Sequence, residues 1–176
     1  SGHPDLASDS FANKIILADL AKQLPSAVID DLSALYPDYR IDVPAEQDKL
    51  RNADIIVLQF PIFWYSMPAL LAKWMEDVFV RGFSHGSQGK ALVGKKLVLS
   101  FTTGAPESAY GEAFPAEMMT GRFSQTAGLT GMVYEGAVAT YAVSYADRTD
   151  PARAAAMTEA SHAHAKRLVE KITSLL

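Results

Sequence analysis

The chain has 176 residues, 49% of them hydrophobic and 20% charged, which suits a single α/β domain with a sizeable core across residues 1–176. A formal net charge of -4 and the lack of any Lys/Arg run argue against a polyanion-binding surface, so nucleic acid is not an expected partner. With no cysteine there is no disulfide, thiolate nucleophile or thiolate-held metal; no apolar run has the length of a membrane span and the first residues lack a signal-peptide pattern, so a cytoplasmic protein is expected.

In chain order, Ser1-Gly2-His3-Pro4 leads almost at once into a predicted helix from Phe11 to Leu24, with Phe11, Ile15, Ile16, Leu20 and Leu24 on one stripe and Ser10 as its N-cap. A weak strand signal follows at Ala27–Leu32. Ile55–Phe60 and Leu97–Phe101 are nearly continuous apolar runs that read as strands buried on both faces. Between them Pro68 opens a helix to Phe79 whose stripe is Leu71, Trp74, Met75, Val78 and Phe79. A helix from about Gly111 to Ala127, stopped by Gly128, precedes a strand over Met132–Ala139, and Asp150 caps a last helix with Pro151 in its first position. This alternation predicts a doubly wound parallel sheet with no repeat or linker to divide it. Such a sheet should have a strand ahead of the first loop. Either the natural protein carries one before Ser1, which is the expectation, or the sheet has a gap where a central strand belongs.

Ligands of open α/β sheets sit at the carboxyl ends of the strands, which directs attention to three loops. The segment His3 to Asn13 offers imidazole, hydroxyl and amide groups at a helix start; it reads as an anion site or as plain capping by Ser10. Phe60-Pro61-Ile62-Phe63-Trp64-Tyr65-Ser66-Met67-Pro68 places three aromatics between prolines, either as a slab for a flat heteroaromatic ring or as padding beside Trp74. Thr102-Thr103-Gly104-Ala105 with Tyr110 gives a small polar turn and a phenol. Together they describe a site for a mononucleotide with a large planar ring.

The run Asp42-Val43-Pro44-Ala45-Glu46-Gln47-Asp48-Lys49-Leu50, continuing through Gln59-Phe60-Pro61, Trp64, Pro68–Trp74 and Val78-Phe79, resembles the flavodoxin-like NAD(P)H:quinone oxidoreductase family, as do the His3-Pro4 opening and the Thr102-Thr103-Gly104 loop. That family includes the DT-diaphorase, modulator-of-drug-activity and potassium-efflux ancillary types. The likeness covers roughly residues 1 to 110. It implies strand order 2-1-3-4-5 with the first strand ending at Ser1, and a homodimer. It also implies that His3, Ser10, Phe11 and Asn13 hold a flavin phosphate and ribityl chain. Pro61, Ile62, Phe63, Trp64 and Tyr65 would line the ring, with Thr102, Thr103, Gly104, Ala105 and Tyr110 at its pyrimidine edge. Ala116 stands where the DT-diaphorase branch has a histidine, so that proton relay is not expected intact.

The resemblance implies FMN, with FAD possible, hydride supplied by NADPH or NADH, and a quinone-like acceptor reduced in a ping-pong cycle. Tyr110 and the backbone of Thr103 to Ala105 would stabilise charge on the ring, while Phe63 and Tyr65 would touch the substrate. The rival expectation is a regulatory ancillary subunit of a glutathione-gated potassium-efflux antiporter, whose only link to a membrane is that partner. A single-electron flavodoxin is less expected, because it has no use for an aromatic substrate platform. Arg81 to Lys90 is expected to be a lid, a subunit contact or an ordinary loop. His162 and His164 are read as surface residues, Met118 and Met119 as packing, and no metal is expected at the Asp30-Asp31 pair or among the histidines.

Overall fold

The computed structural model describes residues 1–111 and 116–176. In chain order it comprises helices α1 (Ala12–Gln23), α2 (Leu32–Leu35) and α3 (Val43–Asn52), strand β1 (Ile55–Pro61), helix α4 (Ala69–Val78), strand β2 (Lys96–Thr102), helix α5 (Ala116–Thr130), strand β3 (Val133–Thr140) and helix α6 (Pro151–Ser174). Short 3-10 turns at Glu107–Ala109 and Tyr145–Thr149 follow β2 and β3. No described helix is long and apolar enough to cross a membrane.

Among the described residues the sheet has three parallel strands in the order β1-β2-β3, with Ile55 opposite Lys96 and Thr102 opposite Thr140. The near-continuous apolar runs follow from burial on both faces. Leu58, Phe60, Leu97, Leu99 and Phe101 pack with Leu70, Leu71, Trp74 and Val78 of α4 and Phe123 and Ala127 of α5. Val57, Val98 and Val138 turn the other way, onto Ile16, Leu17 and Leu20 of α1 and Ala165 and Leu168 of α6. Trp74 is therefore core, as its place on the helical stripe predicts.

Several boundaries differ from the sequence reading. Asp150 caps α6 through Ala152 and Arg153 N–H with Pro151 first in the helix, as read, but Pro68 occupies the N-cap of α4 rather than its first turn. The N-cap position of α1 is Phe11; Ser10 still serves the helix start by accepting the Lys14 N–H at 3.0 Å. The start read near Gly111 for α5 runs into residues 112–115, outside the described residues. Its end lies past Gly128, at Gly131, whose φ of +74° is the left-handed conformation that stops a helix. Helix α3, unnoticed in the apolar pattern, is announced by an Asp42 side chain that caps Ala45 N–H and by Pro44 in the first turn.

Ala27–Leu32 forms no strand: Val28 is 77% exposed, and Asp31 instead caps α2 through Ser33 and Ala34 N–H. Ser1 and Gly2 occupy the position between this segment and β1, with Leu32 N–H donating to Ser1 O at 3.2 Å and Gly2 N–H to Gln59 O at 2.8 Å. Along the rest of β1 that position is a cavity of about 670 Å³ lined by Leu17, Leu20, Ile29, Val57, Leu71 and Ile172. The three described strands lie side by side in chain order, as the last three of the order 2-1-3-4-5 do. The cavity lies against a sheet edge, away from the strand ends that carry the loops.

Candidate functional site

The first loop is fixed by its imidazole. His3 is 3% exposed, and its Nδ1 accepts the Asp5 N–H at 3.1 Å, so the ring proton sits on Nε2. Burial, assisted by the Arg148 charge, holds its pKa below the ordinary 6.5 against Asp9 and Asp5, leaving a neutral ring. Asp5 O in turn accepts the Asp9 and Ser10 N–H groups, folding the loop over the start of α1. Phe11 is half-buried beside it and Asn13 points inward, with Nδ2 donating to Thr102 Oγ1 at 3.1 Å and Oδ1 accepting from Gln59 Nε2 at 2.5 Å.

The aromatic loop is a two-residue turn. Phe63 and Ser66 exchange both backbone hydrogen bonds at 2.9 Å, and Trp64 and Tyr65 between them have φ of +50° and +61°. That is the geometry of a type I′ turn, which Asn-Gly adopts with little strain and two bulky aromatics do not. Trp64 points outward at 93% exposure and Tyr65 is 61% exposed, while Pro61 stays buried and Ile62 half-buried at the turn's base. Tyr39, a residue of similar bulk, has φ of +61° as well, so the conformation is shared with a position outside the three loops. Arg122 of α5 braces it, donating to Ser66 Oγ at 3.0 Å while lying over the Phe123 ring.

In the third loop Thr102 and Thr103 are buried. Thr103 N–H donates to Thr140 O at 3.0 Å and its hydroxyl to Ala105 O at 2.8 Å, while Thr103 O accepts from Val143 N–H. Of the three N–H groups expected to face a ligand, Thr103's is therefore already used, and those of Gly104 and Ala105 remain uncommitted among the described residues. Gly104 is exposed, and a side chain there would meet only the Val143 carbonyl oxygen, at 3.9 Å. Tyr110 leans on Tyr141 at 6.1 Å between ring centres.

The fold brings these loops together. Ile62 N–H donates to Thr102 O at 2.7 Å, His3 meets the Phe63 ring edge-on at 6.3 Å, and Asn13 joins the first loop to the third. An open depression of about 280 Å³ between the second and third loops is bounded by Tyr65, Ala109, Tyr110 and Gly111. The side chain of Ala116 falls outside the described residues.

Two residues here escaped the sequence reading. Arg148 reaches the first loop from the turn after β3: its guanidinium donates to Asp9 O at 2.8 Å and pairs with Asp9 Oδ1 at 3.1 Å, over the Tyr145 ring at 4.4 Å. Its Nε is buried with no hydrogen-bond partner among the described residues, an orphaned donor beside a helix start. No local signal ties position 148 to position 9. His164, read as a surface residue, is fully buried and hydrogen-bonded at both nitrogens, to Ser100 Oγ at 2.6 Å and Thr140 Oγ1 at 2.9 Å. The signal existed: Met157, Ser161, His164 and Leu168 share the buried face of α6. His162 is half exposed and paired with Asp19 at 2.5 Å. Met119 packs as read, whereas Met118 is 57% exposed. The Arg81–Lys90 loop is pinned by buried Phe83 and Ser84, and Ala91 N–H donates to Phe83 O, an anchoring that does not suit a mobile lid.

Comparison with known proteins bears on the fold and family of the chain. The ancillary protein KefG of the glutathione-regulated potassium-efflux system of Enterobacter sp. (strain 638) is 49% identical over 108 residues, which are 61% of this chain and 58% of KefG; the chain thus spans little more than half the length of that relative. General stress protein 14 of Treponema denticola, solved in complex with FMN, is 28% identical with a TM-score of 0.84, covering 96% of this chain and 95% of that one. An NADPH-quinone reductase from P. pentosaceus is 27% identical with a TM-score of 0.73, over 94% and 92%. The family model described as Flavodoxin-like fold, Flavodoxin_2, matches residues 1–164, and the chain belongs to that family.

Proposed function

We propose that the three loops bind FMN and that the chain is an NAD(P)H-dependent flavoprotein reductase acting on quinone-like acceptors. The observation that carries this is the strained Phe63–Ser66 turn, which presents an exposed indole and phenol at the strand ends beside two uncommitted backbone donors. The donor set fits the group. The start of α1, Ser10 and the orphaned Arg148 Nε suit a phosphate, with His3 bracing the loop from beneath. Phe63, Trp64 and Tyr65 supply apolar faces for the ring, over the base formed by Pro61 and Ile62.

When bound, FMN would supply two-electron redox chemistry between a nicotinamide nucleotide and the acceptor. The protein's part is positional and electrostatic. Gly104 and Ala105 N–H groups and the Tyr110 phenol stabilise negative charge at the pyrimidine edge, and Thr103 holds that turn closed by donating to Ala105 O. Phe63 and Tyr65 contact the substrate ring, and the open depression beside Tyr65 and Tyr110 gives one place where nucleotide and acceptor alternate. A homodimer in which a second copy covers the exposed Trp64 belongs to this reading.

The likeness to KefG favours a second reading, a flavin-binding ancillary subunit of a potassium-efflux system that works through its partner. Steady-state kinetics separate the two. The reductase reading expects FMN-loaded protein to oxidise NADPH or NADH with a benzoquinone in parallel double-reciprocal lines. FMN uptake with negligible quinone turnover would refute the reductase and favour the ancillary subunit.

A further inference from the structure

Beneath the three loops runs a buried chain of polar side chains that the proposed binding contacts do not use. Gln59, Ser100 and Thr140 stand on β1, β2 and β3; His164 reaches them from α6 and Asn13 from α1, and every one of these residues is more than nine-tenths buried. Arg167 of α6 donates to Thr140 Oγ1 at 3.1 Å, and Thr140 Oγ1 lies 2.9 Å from His164 Nδ1. His164 Nε2 lies 2.6 Å from Ser100 Oγ, and Ser100 is hydrogen-bonded to Gln59 Oε1. Gln59 Nε2 then donates to Asn13 Oδ1, and Asn13 Nδ2 to Thr102 Oγ1.

Hydroxyl, amide and neutral imidazole groups each pass one hydrogen bond forward, so this chain has two self-consistent directions, which differ in the tautomer of His164. Arg167 selects between them, because a guanidinium only donates. Its bond to Thr140 leaves that hydroxyl to donate onward to Nδ1, whereas the opposite direction would aim Nδ1–H and the cation at the same oxygen and strand the Thr140 proton. With Thr140 donating to Nδ1, the imidazole proton lies on Nε2, Ser100 accepts it and passes its own proton to Gln59, and the sequence ends on Thr102, where the third loop begins.

We propose that His164 is a positioning residue for the ligand site: as a neutral Nε2–H imidazole it transmits a one-way hydrogen-bond chain from Arg167 to Thr102. That chain locks Asn13, the end of β1 and the end of β2 in one arrangement. All three loops spring from those anchors, so their relative placement depends on a residue that touches no ligand. The ligand part of this proposal rests on the FMN reading; the hydrogen-bond direction does not.

The test has two arms. In 15N NMR of the whole labelled chain at neutral pH, His164 should show a protonated Nε2 and a bare Nδ1; the opposite tautomer, or a doubly protonated ring, overturns the proposal. In FMN titrations, His164→Phe, which fills the space but carries no hydrogen bond, and Ser100→Ala, which cuts the chain while keeping the histidine, should each raise Kd by about tenfold. His164→Gln, which retains one donor and one acceptor, should stay within about threefold. Equal losses in the Phe and Gln variants, or no loss in Ser100→Ala, overturn the positioning role. Should His164→Phe not fold, Ser100→Ala and the tautomer decide alone. A native chain with the expected tautomer that takes up no FMN defeats the reading of the site and the ligand role with it, a failure distinct from a wrong hydrogen-bond direction.

Discussion

Replacing Trp64 with asparagine should make the protein more stable and its ligand binding worse. Trp64 is 93% exposed, so the remaining 7% of the roughly 250 Å² a tryptophan can bury is about 18 Å², worth about 0.4 kcal/mol. Against that loss stands its φ of +50°, which costs a bulky L residue about 1–2 kcal/mol and which asparagine tolerates in a type I′ turn. The net effect is a gain of about 1 kcal/mol for the unliganded monomer, read by urea unfolding at constant m-value and at a protein concentration where size-exclusion chromatography shows a single chain. If the indole stacks on the flavin ring, the same change removes about 1–3 kcal/mol of binding, raising the FMN Kd between about fivefold and 150-fold. Lower or unchanged stability would refute the strain argument. An FMN Kd within twofold of the native value would refute the stacking role.

Arg148→Gln should weaken FMN by about tenfold and riboflavin hardly at all, since only FMN carries a phosphate for the orphaned Nε; equal losses in parallel titrations would remove Arg148 from the phosphate site. Glu46→Ala should cost about 3 kcal/mol in urea unfolding, because it leaves Tyr36 Oη and Trp74 Nε1, now 2.7 and 2.8 Å from the carboxylate, without their acceptor, and Lys49 Nζ, at 2.7 Å, with Asp30 alone. Burial alone would raise the Glu46 pKa, yet these donors hold it below its usual value; burial and the carboxylate push Tyr36 up to about 12, a shift that should shrink in the variant. Burial and the nearby Arg167 lower His164 from 6.5 to about 3, so between those values the unfolded chain binds a proton that the folded chain refuses. Stability should therefore fall as pH drops below about 6.5, and His164→Gln should suffer about 2 kcal/mol less of this loss between pH 7 and pH 5; identical acid profiles would contradict a buried neutral His164.

The parts of the fold that could be read from the sequence are those where burial dictates residue type. Ile55–Phe60 and Leu97–Phe101 are apolar throughout because helices cover both faces of those strands, and Asp150-Pro151 starts α6 because cap and proline both favour it there. Val28 and Ile29 carry strand-forming side chains too, but they are exposed, and Asp31 beside them caps α2 instead. The three loops proposed to form the site were picked out by residue type, and two of them follow described strands. Which atoms they offer was not legible in the sequence. The commitment of Thr103 N–H to Thr140 O, the inward turn of Asn13 and the arrival of Arg148 depend on contacts between residues 37 to 139 positions apart, which no local pattern encodes.

The most direct test of the FMN site is a titration of the purified chain with FMN, following flavin fluorescence and the visible spectrum. The account predicts saturable binding of one FMN per chain, with flavin fluorescence quenched by the Phe63–Tyr65 aromatics and bleaching of the bound spectrum by anaerobic NADPH or NADH. A chain that leaves both fluorescence and spectrum unchanged at high FMN would contradict it.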